Sequence, residues 1–277
     1  MKNGYSYSRW KVIANSQILK EPGNLKIHRT RVIHIYEADY NLALGIKWRH
    51  ALHKAEEAAA LNDGQYGSRP SRMAQEPVLI EELQLEMSRI SRKTIVQISY
   101  DATSCYDRIP PALASLVSRK FGMAPSVTLA NARTLENAQY RIRTDLGLAP
   151  TGYTHSPEHP IFGTGQGSAN SPMLWLFISS VLYDCYDTQA HAATYCSPDR
   201  QQPTSFGMVG FVDDNTNQAN KFGEDELEYT YKEVMAHAMD NAQLWTNLLS
   251  SSGGALELPK CSFHLSHWSF TASGAPV

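Results

Sequence analysis

Apolar positions recur along this chain with two different periods, and the period predicts the elements. From Asp39 to Leu61 the segment NLALGIKWRHALHKAEEAAAL is dense in good helix formers and predicts a helix. A second helix is predicted over PVLIEELQLEMSRISRK, where Ile80, Leu83, Met87 and Ile90 form one stripe at helical spacing. Between them, NDGQYGSRPSR (62 to 72) is a turn-rich loop by its Gly, Asn, Asp and Pro content. TIVQISYD (94 to 101) is rich in β-branched residues and predicts a strand that ends on Asp101. Pro110 and Pro111 open a helix with Leu113, Leu116, Val117 and Phe121 on one face.

Another helix over about residues 126 to 138 leads to a strand-like YRIRTDL (140 to 146). PIFGTGQGSANSP then enters a long apolar helix to about Asp187, and SFGMVGFV (205 to 212) predicts one strand. Residues 224 to 250 predict a helix, and ALELPKCSFHLSHWSF one or two strands. RVIHIY (31 to 36) predicts a short strand in an otherwise mixed, basic first stretch. Helices and strands alternate without βαβ regularity, which predicts an α+β fold.

Composition narrows the class. A chain of 277 residues fits one large domain or two small ones, and 42% hydrophobic against 19% charged residues is a globular balance. A formal net charge of -2 argues against gripping nucleic acid by overall charge. Charge is uneven, however: the first 54 residues are rich in Lys and Arg, and Glu224 to Asp240 is acidic. Cys105, Cys185, Cys196 and Cys261 form no C-x-x-C pair, so neither a zinc site nor a disulfide framework is expected. MKNGYSYSRW has no apolar signal core, and MLWLFISSVLY is too short and serine-dotted to span a bilayer. An intracellular, soluble protein with no membrane partner is expected.

Three stretches can carry chemistry, and each has a plainer structural reading. In SYDATSCYDRI, Asp101 stands where the strand gives out and Asp107 six residues on. A carboxylate at a strand end suits a Mg²⁺ ligand, but Asp101 capping a turn and Asp107 capping the next helix is the plainer account. GTGQGSANSP places glycines at alternate positions before a helix, where backbone can approach a phosphate or base. It is neither Walker A nor G-x-G-x-x-G, and a flexible loop with Ser168 or Asn170 capping the helix explains it equally. In MVGFVDDNTNQ the plain reading is a β-hairpin turning at Asp213-Asp214-Asn215. An EF-hand reading from Asp213 to Glu224 fails, because Gln218 replaces the turning Gly and a strand precedes the loop. Together the stretches point to more. Two strand-borne acid sites about 110 residues apart, flanking a Gly-rich loop, suit two-metal phosphoryl transfer.

YDATSCYDRI, GTGQGSANSP and GFVDD, in this order, resemble motifs A, B and C of reverse transcriptases of retroelement type. RVIHIYEADYNLALGIKWRHAL, NDGQYGSRPSR and SGGALELPKCSFH add a similarity to reverse-transcriptase-domain proteins of algal retroelements, over about residues 25 to 268. The resemblance implies a right-hand polymerase: a partial fingers region at 1 to 93, and a palm at 94 to 277 with an antiparallel sheet backed by helices, without an evident thumb. It implies RNA-directed DNA polymerase activity on a primed RNA or DNA template with dNTPs, and two Mg²⁺ ions, Mn²⁺ being an alternative.

Residue by residue, it makes Asp101 and Asp213 the principal metal ligands and Asp214 a supporting one. Tyr106 falls at the steric gate that excludes a ribonucleotide 2′-OH; otherwise it is an ordinary half-buried tyrosine. Gln166 and Gly167 line the nucleotide and template site. Arg31, with Lys26 and Arg29 as weaker candidates, reaches the triphosphate. Arg69 matches a G-F-R-P pattern in which Ser68 replaces the aromatic. Lys260 stands as the motif D lysine that protonates the pyrophosphate or offsets its charge, although Leu258-Pro259 replaces the usual Asn. FHLSHWSF takes the place of the primer grip. No thumb, ribonuclease H, integrase or endonuclease region is expected within these residues, so other domains of a parent retrotransposon polyprotein are expected partners. Two further readings stay open: a catalytically inactive nucleic-acid-binding remnant, and an unrelated phosphotransferase using GTGQGS as a phosphate loop.

Overall fold

The protein's structure, a computed structural model, describes the chain apart from residues 2, 25, 27, 28, 159, 161, 162, 198, 200, 221–230 and 275–277. In chain order the strands and helices are β1 (Val12–Leu19), β2 (Thr30–Ile35), α1 (Ala38–Glu57), α2 (Gln75–Ile90), β3 (Ile95–Asp101), α3 (Cys105–Arg108), α4 (Pro111–Lys120) and α5 (Pro125–Glu136). They continue with β4 (Gln139–Thr144), β5 (Gly147–Leu148), β6 (Tyr153–Thr154), α6 (Ser171–Asp187), β7 (Ala193–Cys196), β8 (Pro203–Phe206), β9 (Val209–Phe211), β10 (Asp214–Ala219), α7 (Tyr231–Ser251) and β11 (Ser262–Ser266). The chain divides into two compact units, each built from two separate stretches. Met1–Ala60 joins Ser104–Ile178, and Leu61–Thr103 joins Ser179–Val277.

The first unit contains a sheet in the order β2-β1-β4-β5, with β6 also on β4. Strand β1 is antiparallel to β2 and parallel to β4. Its sequence, VIANSQIL, breaks alternation with a polar middle, yet Ile13 and Asn15 are both buried. Helix α1 buries Tyr40, Leu44, Trp48, Ala51, Leu52 and Ala55, one face at helical spacing. Two of these also make directed bonds: the Trp48 indole donates to the Ser118 hydroxyl of α4 at 3.2 Å, and the Tyr40 hydroxyl to Asn131 of α5 at 2.8 Å. Helices α4 and α5 both carry Pro at their start, where the missing N–H has no intrahelical partner to lose.

The second unit is organised on an antiparallel sheet of order β11-β3-β10-β9, with β7 and β8 forming a separate pair. Helix α7 packs against β3 and β10, setting Val234 and Ala238 on Val96 and Ala219. Trp245 of α7 is fully buried within reach of the Tyr100, Tyr183 and Tyr186 rings. The fold is therefore α+β with an antiparallel sheet backed by helices, as the sequence predicts. Among the described residues no helix is long and apolar enough to cross a membrane.

Two expectations are corrected, and a third lies partly outside the described residues. The apolar stripe of α2 is not its buried face: Leu83 and Ile90 are exposed, while Pro77, Gln84 and Ser88 are buried. Two polar groups of that inner face, one main-chain and one side-chain, are bonded. The Gln84 carbonyl accepts from the Tyr195 hydroxyl at 2.9 Å, and the Ser88 hydroxyl donates to the Lys93 carbonyl. The predicted strand at 205 to 212 is divided, β8 pairing with β7 and β9 with β10. The division falls where the Asp187 carboxylate accepts the Met208 N–H at 3.1 Å and fills the space beside Gly207. The predicted helix at 224 to 250 is described from Tyr231 onward; 224–230 lie outside the described residues.

Trp245→Ala should cost about 3–5 kcal/mol and lower the melting temperature by about 10 °C. Leu83→Ala, despite its place in the apolar stripe, should stay within about 0.5 kcal/mol of the parent. Thermal denaturation followed by circular dichroism checks both.

Candidate functional site

The acidic residues of the second unit meet at one end of its sheet. Strand β3 ends on Asp101 and β10 begins on Asp214, and the two are direct partners in the antiparallel ladder. Opposite residues in such a ladder share a face with Cβ atoms about 4.5–5.5 Å apart. Asp214 also pairs with Phe211, which leaves Val212 and Asp213 as a two-residue hairpin loop. The turn thus lies one residue earlier than the sequence suggests, with Asp214 and Asn215 already in the strand. Loops of this length favour positive φ, usually supplied by Gly or Asn. Here Val212 takes φ +61°, an unfavourable conformation for a β-branched residue that costs about 1–3 kcal/mol and must be held by its surroundings.

Two buried amides hold it. The Asn215 side chain donates to the Asp213 carbonyl at 2.7 Å and accepts from the Tyr183 hydroxyl. Gln65 bonds the main chain of Val212. The sequence suggests Asn215 as a turn residue but gives no sign of the role of Gln65, a glutamine in a Gly-rich loop.

The charges at this end are unbalanced. Burial pushes the Asp213 carboxyl above the usual carboxylate range, and Asp214 and Asp101 add to this, while its own main chain and Lys260 pull it down. Lys260 places its ammonium 3.3 Å from Asp101 Oδ1. It is brought there by a 3₁₀ turn, Leu258–Lys260, stitched to the end of β3. The Glu257 N–H donates to the Asp101 carbonyl at 2.9 Å, and the Glu257 carboxylate accepts from the Thr103 hydroxyl at 2.9 Å. Pro259 suits such a turn, so the departure from the expected Asn is compatible with the lysine's position. Strand β11 continues from this turn as the outer partner of β3.

Asp101, which contacts the Lys260 ammonium, and its neighbours Asp213 and Asp214 offer carboxylate oxygens, a donor type suited to hard cations. Lys260 stands in for such a cation on Asp101, in an exposed pair of a kind worth only about 0–1 kcal/mol. The oxygens are not closed into a cage: among the described residues no three His, Cys, Asp or Glu side chains are grouped tightly enough to hold a metal ion.

Arg69 lies in this unit but is turned into its own loop. Its buried guanidinium donates to the carbonyls of Asn62 and Gln65 at 3.1 and 3.3 Å and faces Asp63 at 3.8 Å.

The remaining candidates belong to the first unit. Gly163, Gly165 and Gly167 all have positive φ, and the space a Cβ would need is filled by the protein itself. A Cβ on Gly165 would lie 2.1 Å from the His34 ring, and one on Gly163 would lie 2.6 Å from the Asp107 main chain. The loop is fixed on several sides. The Tyr36 hydroxyl donates to the Thr164 carbonyl at 2.9 Å, the His34 N–H to the Gln166 carbonyl at 2.6 Å, and Asn41 to the Gly167 carbonyl at 3.2 Å. The Ser171 hydroxyl ties it to α6 through the Gly165 carbonyl at 2.9 Å. Gln166 is half-buried and Gly167 exposed.

Tyr106 is half-buried, and its carbonyl accepts the Thr164 N–H at 2.9 Å. Asp107 lies inside the short α3 rather than at a helix cap. Burial raises its carboxyl, against the opposing pull of Lys20 and the Gln166 N–H. Burial also lowers the His34 imidazole to about 4, so the ring beside Gly165 is neutral at neutral pH. Arg31 is exposed on β2 opposite Ile18 of β1. Arg141 and Arg143 of β4 pair with Ala14 and Ser16, which alternation places on the same face as Ile18. Arg31, Arg141 and Arg143 therefore share one face of the sheet, a grouping that only strand register reveals. Arg29 pairs with Glu21 at 3.7 Å, and Lys26 is exposed.

The raised Asp213 carboxyl has a consequence for stability. The folded state binds this proton more tightly than the unfolded chain, so stability falls as pH rises from about 4 through the raised value. Asp213→Asn should remove that fall, giving a higher melting temperature than the parent at pH 7 without divalent cations and a gain that shrinks toward pH 4. Melting curves across this range check the sign.

No family model matches the chain, and no curated protein matches it. Solved structures do. Telomerase from Candida tropicalis in complex with a fragment of telomeric RNA is similar at TM-score 0.60 and 11% identity, over 94% of this chain and 42% of that one. The corresponding Candida albicans complex is similar at 0.55 and 11%, over 92% and 42%. Apo telomerase from Candida tropicalis truncated from its C-terminal domain is similar at 0.55 and 10%, over 96% and 52%. The chain spans about half the length of these telomerase chains, or less. At such identities the likeness shows the fold alone: a partial, reverse-transcriptase-like polymerase fold.

Proposed function

We propose that this chain is the palm and partial fingers of a retroelement-type reverse transcriptase, adding dNTPs to a primer 3′-OH on an RNA or DNA template. The observation that carries this reading is the pairing of Asp101 with Asp214 across β3 and β10, with Asp213 in the adjoining turn. In this reading Asp101, Asp213 and Asp214 hold two Mg²⁺ ions. When bound, the ions ease deprotonation of the attacking hydroxyl and offset charge on the leaving pyrophosphate. Lys260 leaves Asp101 for the pyrophosphate, where an ammonium can offset charge or deliver a proton. Tyr106 discriminates against a 2′-OH, and Gln166 and Gly167 contact nucleotide and template. Arg31, Arg141 and Arg143 give a nearly neutral chain a local basic face for phosphates, so binding should weaken with salt. Further domains of a parent polyprotein would complete the grip on the primer.

One observation favours a second reading, a nucleic-acid-binding remnant without activity. Lys260 already neutralises part of the carboxylate cluster. Extension of oligo(dT) on poly(rA) separates the two. The polymerase reading expects extension that requires Mg²⁺ or Mn²⁺ and falls by more than about 100-fold in Asp213→Asn, beyond what loss of an outer-shell residue costs. Tyr106→Val should raise ribonucleotide use relative to dNTP use. Salt-sensitive binding of primer-template without extension by the parent protein would establish the remnant instead.

A further inference from the structure

The loop NDGQYGSRPSR enters the functional reading only through Arg69, yet its most enclosed side chain is Gln65. Gln65 is fully buried, and its amide reaches both main-chain groups of Val212. Nε2 donates to the Val212 carbonyl at 3.1 Å, and Oε1 accepts the Val212 N–H at 3.1 Å. The same amide continues inward: Nε2 also donates to the Ser179 hydroxyl at 3.1 Å, and Oε1 accepts the Gly67 N–H at 2.8 Å. One side chain thus does for Val212 what a neighbouring strand would do, at the residue whose φ is least favourable.

The backbone beside it follows the same path. The Tyr66 N–H donates to the Gly210 carbonyl at 2.9 Å, and the Gly210 N–H to the Gly64 carbonyl at 2.8 Å. There is no slack in this contact, since a Cβ on Gly67 would lie 2.2 Å from the Val212 nitrogen and one on Gly64 2.0 Å from the Met208 carbonyl oxygen. Arg69 braces the loop from behind through the Gln65 carbonyl.

We propose that Gln65 is a positioning residue for the carboxylate site. By clamping the Val212 peptide it fixes the direction in which Asp213 and Asp214 leave the turn, so the cation affinity of the site depends on it. No other side chain of similar size serves. Glu lacks the donor for the Val212 carbonyl, Met lacks both groups, and Asn is one methylene short. The inference rests on the metal-binding reading of Asp101, Asp213 and Asp214 given above.

The test uses the whole chain and two readouts that need no activity: hydrogen exchange of the Val212 and Asp213 amides, and Mn²⁺ affinity from the free-ion electron paramagnetic resonance signal. Gln65→Met should speed Val212 exchange and weaken Mn²⁺ binding, each by about 10-fold, with Gln65→Glu between it and the parent. Gln84→Met, which removes a buried amide of the same unit on α2, should change neither. Val212→Gly removes the cost of positive φ, so Gln65→Met should lose less affinity in that background than in the parent. Unchanged Val212 exchange in Gln65→Met overturns the proposal. So does an affinity loss no greater than that of Gln84→Met, or one equal in both backgrounds. A parent protein that binds Mn²⁺ no better than Asp213→Asn overturns the metal reading instead. In that case accelerated Val212 exchange in Gln65→Met still establishes the clamp on the turn, and unaccelerated exchange removes it.

Discussion

Strand β3 is hydrogen-bonded along both edges, and the acidic end of the second unit takes its geometry from that double pairing. On one side β10 sets Asp214 opposite Asp101; on the other, β11 and the 3₁₀ turn before it bring Lys260 to the same carboxylate. A strand paired on both sides cannot slip without breaking two ladders and turning every side chain to the opposite face. The register is fixed a second time by packing, because Val96 and Ala219 on β3 and β10 must both meet α7. Electrostatic repulsion among the carboxylates is tolerated since the hydrophobic contact behind the sheet opposes it.

Much of this was legible in the sequence, for a definable reason. Asp101, Asp213 and Asp214 stand where apolar runs give out, and a run that ends on an acid marks both the strand boundary and the residue left at its tip. The long helices α1 and α6 were legible from composition alone. Strand β1 was not, because burial of Asn15 contradicts its polarity. The inner face of α2 was misread on the same principle. The Ser88 hydroxyl there meets the Lys93 carbonyl and the Gln84 main-chain carbonyl meets the Tyr195 hydroxyl, contacts that an apolar stripe does not show. The break at Gly207 depends likewise on Asp187, distant in sequence and unrelated in pattern.

Within the candidate site, what the sequence hides is the support. Nothing near Val212 shows that a non-glycine residue will take positive φ, and nothing near Gln65 shows that its amide will compensate. The grouping of Arg141 and Arg143 with Arg31 exists only through the parallel pairing of β1 with β4. The glycine-rich loop was legible as a place of close approach, but the sequence suggested an approaching ligand. The approach seen is made by His34 and Asp107 of the same unit.

That crowding ties the history of two distant positions together. The His34 ring and the Tyr36 hydroxyl occupy the volume that any side chain at residue 165 would need, and the positive φ there adds its own penalty, so these positions form one unit of change. Lineages that enlarge residue 165 must at least shrink residue 34. Drift in the glycine-rich loop is therefore constrained from a strand about 130 residues earlier in the chain. Covariation between these two columns would be the record of a packing contact, whatever the loop binds.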